Sequence, residues 1–330
     1  MYALVTGAGG FLGRQIVEEL LAAGERVRAL VRRPCAELVA RSVETVIGDV
    51  RDAAAAGDAC RGVDVVFHVA GVAGIWGSWD HYHGTNTLGT RYIVAGCLAH
   101  GVGRLVYTSS PSVTFDGGDQ CGVDESVPYA SRWLCHYPHS KALAERHVLE
   151  ANGRDGLLTC ALRPHLIWGP GDHHLIPRLV DRARRGRLRR VGDGTNLIDM
   201  VHVENAALAH VQAAAALVPG GPACGRAYFI SQGEPVNCWE WIDQVLALAG
   251  VAPVTQSLSF GTAWRLGATL EAAWRVLRLR GEPPMTRFLA AQLAKSHYFN
   301  IDRARADFGY QPRVSTDEGM RRLGESLRRE

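Results

Sequence analysis

The sequence predicts an α/β protein in which a doubly wound parallel sheet carries a smaller, discontinuous lobe. Short β-branched runs alternate with helical stretches from Tyr2 to about Tyr107, a pattern typical of βαβ units. The runs are continuously apolar, as are strands buried on both faces of a sheet. The length of 330 residues suits one large α/β domain with an attached lobe.

Five strands are predicted in the first third of the chain and two more further on. They cover residues 2–5, 26–31, 43–47, 63–69, 104–107, 159–162 and 227–231. Between the first two, residues 15–23 carry apolar side chains at helical spacing, and Gly24 ends this helix.

The character of the sequence changes after Pro164, where Gly, Pro, His and Arg become frequent. From Glu234 onward, helical patterns are interrupted by prolines at 253, 283 and 284. We therefore predict a sheet domain formed by residues 1–163 and about 197–232. A substrate-binding lobe is predicted to consist of about residues 164–196 together with residues 233–330.

Composition argues against several classes of protein. The 36 Lys and Arg residues and 33 Asp and Glu residues give a net charge near +3 without a basic stripe, so no nucleic-acid partner is expected. Eight widely spaced cysteines without a CxxC pair predict buried, reduced thiols and no metal site. We find no secretion signal and no apolar stretch approaching about 20 residues. A cytoplasmic location is expected, with peripheral membrane association left open.

A glycine-rich loop lies between the first strand and the first helix. A dinucleotide pyrophosphate needs backbone N–H groups at close range, which glycines permit, and a helix N-terminus adds a favourable dipole. The loop therefore predicts a Rossmann-type domain, with a tight turn that binds no ligand as the alternative. The residues predicted to contact the pyrophosphate are Gly7, Gly10, Phe11, Leu12 and Gly13.

The end of the second strand favours NADP(H) over NAD(H). Sites for NAD usually carry Asp or Glu here, whereas an arginine accommodates the 2′-phosphate of NADP. This sequence has Val31 followed by Arg32 and Arg33. Arginines that merely lie at the protein surface are the alternative interpretation.

Two further turns are predicted to contact the cofactor. Asp49 and Val50 follow the third strand, where a carboxylate could accept a hydrogen bond from adenine. Ala70 lies in a small-residue turn after the fourth strand, against which the cofactor could lie.

A candidate catalytic group follows the fifth strand. Ser109, Ser110 and Ser112 come directly after it, and Tyr137 and Lys141 lie one helical turn apart further on. An ammonium beside a phenol favours the phenolate and lowers the pKa of the phenol from about 10, so that the tyrosine can exchange protons near neutral pH. A nearby hydroxyl can bind the carbonyl oxygen as it gains charge.

Taken together, these motifs resemble the extended short-chain dehydrogenases/reductases. They are TGAGGFLG at 6–13, HVAG at 68–71, NTLGT at 86–90, YTSS at 107–110, the Tyr-Lys pair, and LRP at 162–164. The resemblance implies that Tyr137 is the catalytic acid/base and that Lys141 binds the nicotinamide ribose. It further implies that Ser110 binds the carbonyl oxygen, that Asn86 supports the proton relay, and that the backbone after Pro164 meets the carboxamide.

Within that superfamily, residues 162–172 and 281–287 are similar to the 3β-hydroxysteroid dehydrogenase branch. Residues 74–83, 107–114 and 227–231 resemble its bacterial reductases of 2-alkyl-3-oxoalkanoates in long-chain olefin biosynthesis. The resemblance implies NADPH-dependent reduction of a bulky, apolar β-keto acid. Three alternatives stay open: a sterol 4α-carboxylate 3-dehydrogenase, a nucleotide-sugar epimerase or dehydratase, and a cofactor-sensing protein without enzymatic activity.

The predicted lobe suits an apolar substrate. Residues 257–280 interleave aromatic and aliphatic side chains with arginines, as in helices that lie at a lipid surface or cover an apolar pocket, although an ordinary core helix is an equal alternative. Arg163, His165 and the basic residues of 182–190 are candidates for holding a substrate carboxylate. A homodimer and contacts with other enzymes of the pathway are left open.

Overall fold

The computed structural model describes residues 1–328 and contains fifteen strands in that range. The strands are β1 Tyr2–Thr6, β2 Arg26–Val31, β3 Glu44–Ile47, β4 Val65–His68, β5 Arg104–Thr108, β6 Gln120–Val123, β7 Leu158–Pro164, β8 Ile167–Trp168, β9 Arg190–Val191, β10 Leu197–Ile198, β11 Val201–His202, β12 Arg226–Ile230, β13 Val236–Asn237, β14 Ser257–Leu258 and β15 His297–Phe299.

Thirteen α-helices lie in the same described range. They are α1 Phe11–Ala22, α2 Ala36–Ala40, α3 Ala53–Ala59, α4 Trp79–Tyr82, α5 Gly89–Ala99, α6 His136–Glu150, α7 Leu175–Arg184, α8 Val203–Ala216, α9 Cys238–Leu248, α10 Phe260–Val276, α11 Arg287–Ala294, α12 Asp302–Phe308 and α13 Thr316–Leu327. A π-helical turn at His83–Leu88 joins α4 to α5, and short 3₁₀ turns occupy Pro111–Thr114 and Arg154–Gly156.

Seven strands form a central parallel sheet in the order β12-β7-β5-β4-β1-β2-β3. They are the seven strands that the sequence predicts, and the predicted α/β class is confirmed. The order reverses direction at β1, so the carboxyl ends of β1 and β4 flank the crevice in which such sheets bind ligands.

Successive side chains of each strand point to opposite faces of the sheet. Val5 and Phe67 therefore join a cluster with α1 and α8, whereas Leu4 and Val66 join a second cluster with α3, α5 and α6. Burial on both faces explains why these strands have continuously apolar sequences. The result is a rigid sheet that holds the loops at its carboxyl edge.

A third hydrophobic cluster lies outside this sheet. It contains Trp168, Trp239 and Trp241 and draws residues from α7, α9, α10, α11 and α13. Beside the central sheet, β13, β10, β15 and β6 form a four-stranded sheet, with β6 supplied from the first half of the chain. The division of the chain into two domains at the stated boundaries stays a prediction.

All eight cysteines are free thiols. The prediction that they are buried holds for Cys60, Cys97, Cys160 and Cys238, but it is wrong for Cys121, which is exposed on β6. The sequence argument failed there because it used only the spacing of the cysteines. Within residues 1–328, no helix is both long and apolar enough to cross a membrane.

Candidate active site

The glycine loop between β1 and α1 leaves no room for side chains at two positions. A Cβ atom at Gly13 would lie 2.2 Å from the carbonyl oxygen of Gly7, and one at Gly7 would lie 2.9 Å from the backbone nitrogen of Ala70. Gly10 caps α1 without a side-chain acceptor for the N–H groups of its first turn, and open space surrounds the Cβ position of Gly9. An open helix N-terminus beside exposed backbone fits a dinucleotide pyrophosphate.

The predicted contacts around this loop lie at the carboxyl ends of neighbouring strands. Leu12 is buried under the loop, whereas Phe11 is partly accessible. Ala70 follows β4 directly and is held by a hydrogen bond of 3.1 Å from its N–H to the Thr6 hydroxyl. Thr6 begins the TGAGGFLG motif but was not among the predicted cofactor contacts.

Arg32 follows β2 and is exposed. It lies close enough to Asp49 for its charge to help lower the pKa of that carboxyl, although the hydrogen bonds from Arg51 lower it most. The predicted adenine acceptor is thus already paired with the Arg51 guanidinium, at 2.8 Å. Val50 is buried and packs against Gly89 of α5, so it joins the segment after β3 to this helix.

Tyr137 and Ser110 come together at the carboxyl edge of the sheet. Burial raises the pKa of Tyr137, and the influence of the neighbouring Ser110 hydroxyl partly opposes this rise. The Ser110 hydroxyl also lies 2.8 Å from that of Ser112. Ser109, by contrast, is buried, and its backbone N–H donates to the carbonyl oxygen of Leu162. The sequence argument expected a lowered tyrosine pKa, and the structure corrects it because burial outweighs the other influences.

Lys141 lies one turn further along α6 and is buried. Its ammonium donates to the carbonyl oxygen of Thr108 at 2.5 Å and stands 4.4 Å from the ring centroid of Tyr107. Burial lowers the pKa of Lys141 to about 7, with the Glu145 charge acting in the opposite direction. At neutral pH, Lys141 is therefore present in both its charged and its neutral form.

Replacing Lys141 by Met should change how the stability of the cofactor-free protein depends on pH. Between about pH 7 and pH 10.5 the unfolded lysine holds a proton that the folded one has lost, so wild-type stability rises with pH by up to about 1.4 kcal/mol per unit through this group. The variant lacks this contribution. Urea unfolding at about pH 7 and about pH 9 should show that the unfolding free energy of wild type increases relative to that of Lys141→Met as the pH rises.

Lys295, the only other lysine of the sequence, provides the matched control because its side chain reaches solvent. Lys295→Met should track wild type at both pH values. A stability difference between wild type and Lys141→Met that does not change with pH would contradict the burial argument.

Asn86 connects two parts of the site. Its amide donates to the carbonyl oxygen of Val72 at 3.0 Å and to the hydroxyl of Ser140 at 2.9 Å, and its side-chain oxygen accepts from the N–H of Val72 at 2.7 Å. These bonds hold the segment after β4 against α6. The predicted support of a proton relay thus has a structural basis in positioning, and the relay itself stays a prediction.

Tyr82, which was not among the predicted site residues, holds the loop beside Tyr137 in place. The two rings lie 6.2 Å apart, and the Tyr82 hydroxyl donates to the carbonyl oxygen of Trp76 at 3.0 Å. A Cβ atom at Gly74 or Gly77 would lie within 3.0 Å of Tyr82, and both glycines have positive φ. The glycines of the 74–83 motif were the available signal.

Two of the residues considered for a substrate carboxylate are already paired. Arg163 forms a buried ion pair with Glu145 at 2.5 Å, and His165 bonds Asp199 at 2.6 Å. Pro164, between them, ends β7 and is buried, paired across the sheet with Ile230. The basic run at 182–190 is largely at the surface.

Residues 257–280 divide into two parts in the structure. Phe260 and Trp264 at the start of α10 pack into a hydrophobic cluster, whereas Val276, Leu277 and Leu279 at its end are exposed. The core-helix interpretation therefore fits the first part. Membrane, homodimer and pathway-enzyme contacts stay predictions.

A parallel sheet with a glycine loop after its first strand, beside a tyrosine and a lysine one turn apart, defines the Rossmann-fold oxidoreductases of the short-chain dehydrogenase/reductase type. The model of the 3-beta hydroxysteroid dehydrogenase/isomerase family matches residues 4–259. The chain belongs to this family, and the predicted resemblance is confirmed.

Relatives of this chain act on keto or hydroxy groups. It is 51% identical to the 2-alkyl-3-oxoalkanoate reductase of Stenotrophomonas maltophilia over 98% of both chains. It is 49% identical to the protein of the same name from Shewanella oneidensis, over 99% of this chain and 86% of that one. Among solved structures, MoeE5 in complex with UDP-glucose and NAD matches with a TM-score of 0.77 and 28% identity, covering 100% of this chain and 99% of that one.

Proposed function

We propose that this protein is an NADP(H)-dependent reductase that converts the ketone of a 2-alkyl-3-oxoalkanoate to the β-hydroxy acid. The observation that carries the proposal is the 51% identity, over 98% of both chains, to a 2-alkyl-3-oxoalkanoate reductase. The placement of Ser110 near enough to Tyr137 to influence its pKa supports it, because ketone reduction needs a proton donor beside a group that binds the carbonyl oxygen.

In this proposal, Tyr137 donates the proton of its hydroxyl to the oxygen of the ketone. A phenol has a pKa of about 10, so this hydroxyl has a proton to donate at neutral pH. The Ser110 hydroxyl donates to the same oxygen and orients it. The reduced nicotinamide, when bound, supplies the hydride that the ketone carbon receives.

Lys141 and Asn86 have supporting roles in this proposal. Lys141, held by the Thr108 carbonyl, lies on the same helical face as Tyr137 and binds the nicotinamide ribose. Asn86 fixes the 72–74 backbone against α6 and so keeps the cleft beside Tyr137 in place.

A preference for NADP(H) is supported by the charge at the carboxyl ends of β2 and β3. Arg32, Arg33 and Arg51 are exposed there, with Asp49 as the adjacent acidic partner. A 2′-phosphate would meet an excess of positive charge, whereas the 2′-hydroxyl of NAD would find the Asp49 carboxylate already paired with Arg51.

Arg32→Ala should raise KM for NADPH by roughly tenfold, the effect of losing one charge-assisted bond of about 1.5 kcal/mol. The variant should leave KM for NADH nearly unchanged. Steady-state kinetics with both cofactors check this, and Arg41→Ala, on the surface beyond α2, is the matched control. Equal effects on both cofactors would overturn the assignment of Arg32 to the 2′-phosphate.

A second candidate is suggested by the solved structure that binds UDP-glucose. A substrate panel distinguishes the two, because NADPH oxidation or NADP⁺ reduction can be followed with 2-alkyl-3-oxo acids, 2-alkyl-3-hydroxy acids, sterol acids and UDP-sugars. We expect turnover with the first two groups. Turnover only with UDP-sugars or only with sterol acids would reject the proposed substrate, and cofactor binding without turnover would favour a sensing protein.

A further inference from the structure

A cavity of about 320 Å³ lies between the segment after the Pro111–Thr114 turn and the start of α10. We call it the α10 cavity. Its lining is Asp116, Gly117, Phe260, Gly261, Trp264 and Arg265. The rings of Phe260 and Trp264 lie 5.6 Å apart, while the two charged residues are exposed. The two rings thus form an apolar wall with charged residues at the open rim, and none of the roles described above uses this cavity.

An apolar cluster joins the α10 cavity to the residues around Tyr137. Phe260 and Trp264 pack on the same small core as Leu134 and Cys135, and Cys135 is the residue that caps α6 just before Tyr137. The core includes Phe115, which ends the 3₁₀ turn that Ser110 caps.

Gly117 lies where this cluster meets the cavity. It has a φ of +102°, and a Cβ atom there would lie 3.2 Å from Leu134 and 4.0 Å from Trp264. A side chain at this position would be strained and would fill the space between the cluster and the cavity.

We propose that the α10 cavity is a subsite for one of the two alkyl chains of the substrate. This inference rests on the proposed function, in which the ketone is held by Tyr137 and Ser110. The aromatic and aliphatic cluster extends from Cys135, two residues before Tyr137, to Phe260 and Trp264 in the cavity wall, so it offers one chain a continuous apolar surface. Phe260 and Trp264 are then specificity-determining residues, which prefer a long chain because each buried methylene adds favourable transfer free energy.

Gly261→Leu tests the proposal directly. Gly261 lines the cavity, no heavy atom lies within 4 Å of its Cβ position, and its φ is not positive, so a leucine fits at this part of the lining without displacing the backbone. Leucine is also a better helix former than glycine, which protects the fold. Thr269→Leu is the matched control, since it adds an apolar side chain at an exposed position of the same helix.

The assay uses 2-alkyl-3-hydroxy acids with NADP⁺, with the lengths of the two chains varied separately. Gly261→Leu should lower kcat/KM by roughly tenfold or more for acids with one long chain, and should leave acids with two short chains unaffected. Thr269→Leu should match wild type throughout. An unchanged dependence on chain length in Gly261→Leu would overturn the proposal.

Binding of dodecanoate, measured by titration calorimetry, separates this inference from the proposed function. Wild type and Thr269→Leu should bind it, and Gly261→Leu should bind at least about tenfold more weakly. If wild type turns over none of the hydroxy acids, the proposed function fails, and the calorimetric comparison still decides whether the cavity takes an alkyl chain. Equal binding by all three proteins, or none by wild type, would reject the subsite.

Discussion

Tyr137→Phe should lower kcat roughly a hundredfold to ten-thousandfold, the range that positioned general acid catalysis contributes. The variant keeps the aromatic ring but has no proton to donate to the ketone oxygen. Because the glycine loop and the arginines after β2 are untouched, its affinity for NADPH should stay close to that of wild type. Single-turnover kinetics and NADPH fluorescence titration measure the two quantities separately.

Tyr82→Phe is the control for this experiment. It removes another hydroxyl from the same cleft, one that donates to the Trp76 carbonyl and lies on a ring 6.2 Å from that of Tyr137. It should retain most of the activity, with any loss appearing mainly in KM because the loop above the cleft is loosened. If Tyr137→Phe kept more than about a tenth of wild-type kcat, another group would have to be the proton donor.

Glu145→Ala should cost about 3–5 kcal/mol of unfolding free energy, the penalty for leaving a buried charge without its partner. Glu145 is fully buried and accepts three hydrogen bonds from Arg163 and one from Tyr129, at 2.5 to 3.2 Å. Without it, the Arg163 guanidinium remains in the protein interior uncompensated. Urea unfolding monitored by circular dichroism gives the difference.

Two further variants establish that the loss comes from the charge. Glu145→Ala combined with Arg163→Met should recover much of the stability, because a buried ion pair replaced by apolar side chains is often neutral. Arg321→Ala, which breaks exposed ion pairs with Glu318 and Glu325, should cost no more than about 1 kcal/mol. A double variant no more stable than Glu145→Ala would point to lost packing instead.

The sequence predicted the central sheet well because its strands are long, apolar and joined by helices. Strand β2 has the predicted bounds, and the other six differ from theirs by a few residues at most. The second sheet could not be predicted in this way. Its strands have two to four residues each, and β6 and β15 are separated by more than half of the chain. Neither hydrophobic periodicity nor local spacing can therefore predict this sheet.

The glycine motif ties residue type to backbone position at Gly7 and Gly13, where the structure leaves no room for a side chain, while the roles predicted for the site residues stay predictions. Prediction failed where the environment decides the chemistry. The pKa of Tyr137 depends on burial, which sequence spacing does not reveal. From the sequence, Arg163 is a candidate for binding the substrate carboxylate. In the fold its guanidinium is buried and paired with Glu145, which lies on α6 two helical turns after Tyr137.

The π-helical turn at His83–Leu88 determines how α5 is rotated about its axis relative to α4. Each residue of an α-helix rotates the chain by about 100°, and a π turn takes up one residue more than a regular turn. Asn86 and the Thr87 hydroxyl, which donates to the Ser140 carbonyl at 2.9 Å, therefore reach α6 together. A single-residue deletion in this turn would rotate both side chains away from α6, so we expect the stretch HGTNTL to tolerate far fewer changes in length than a surface loop.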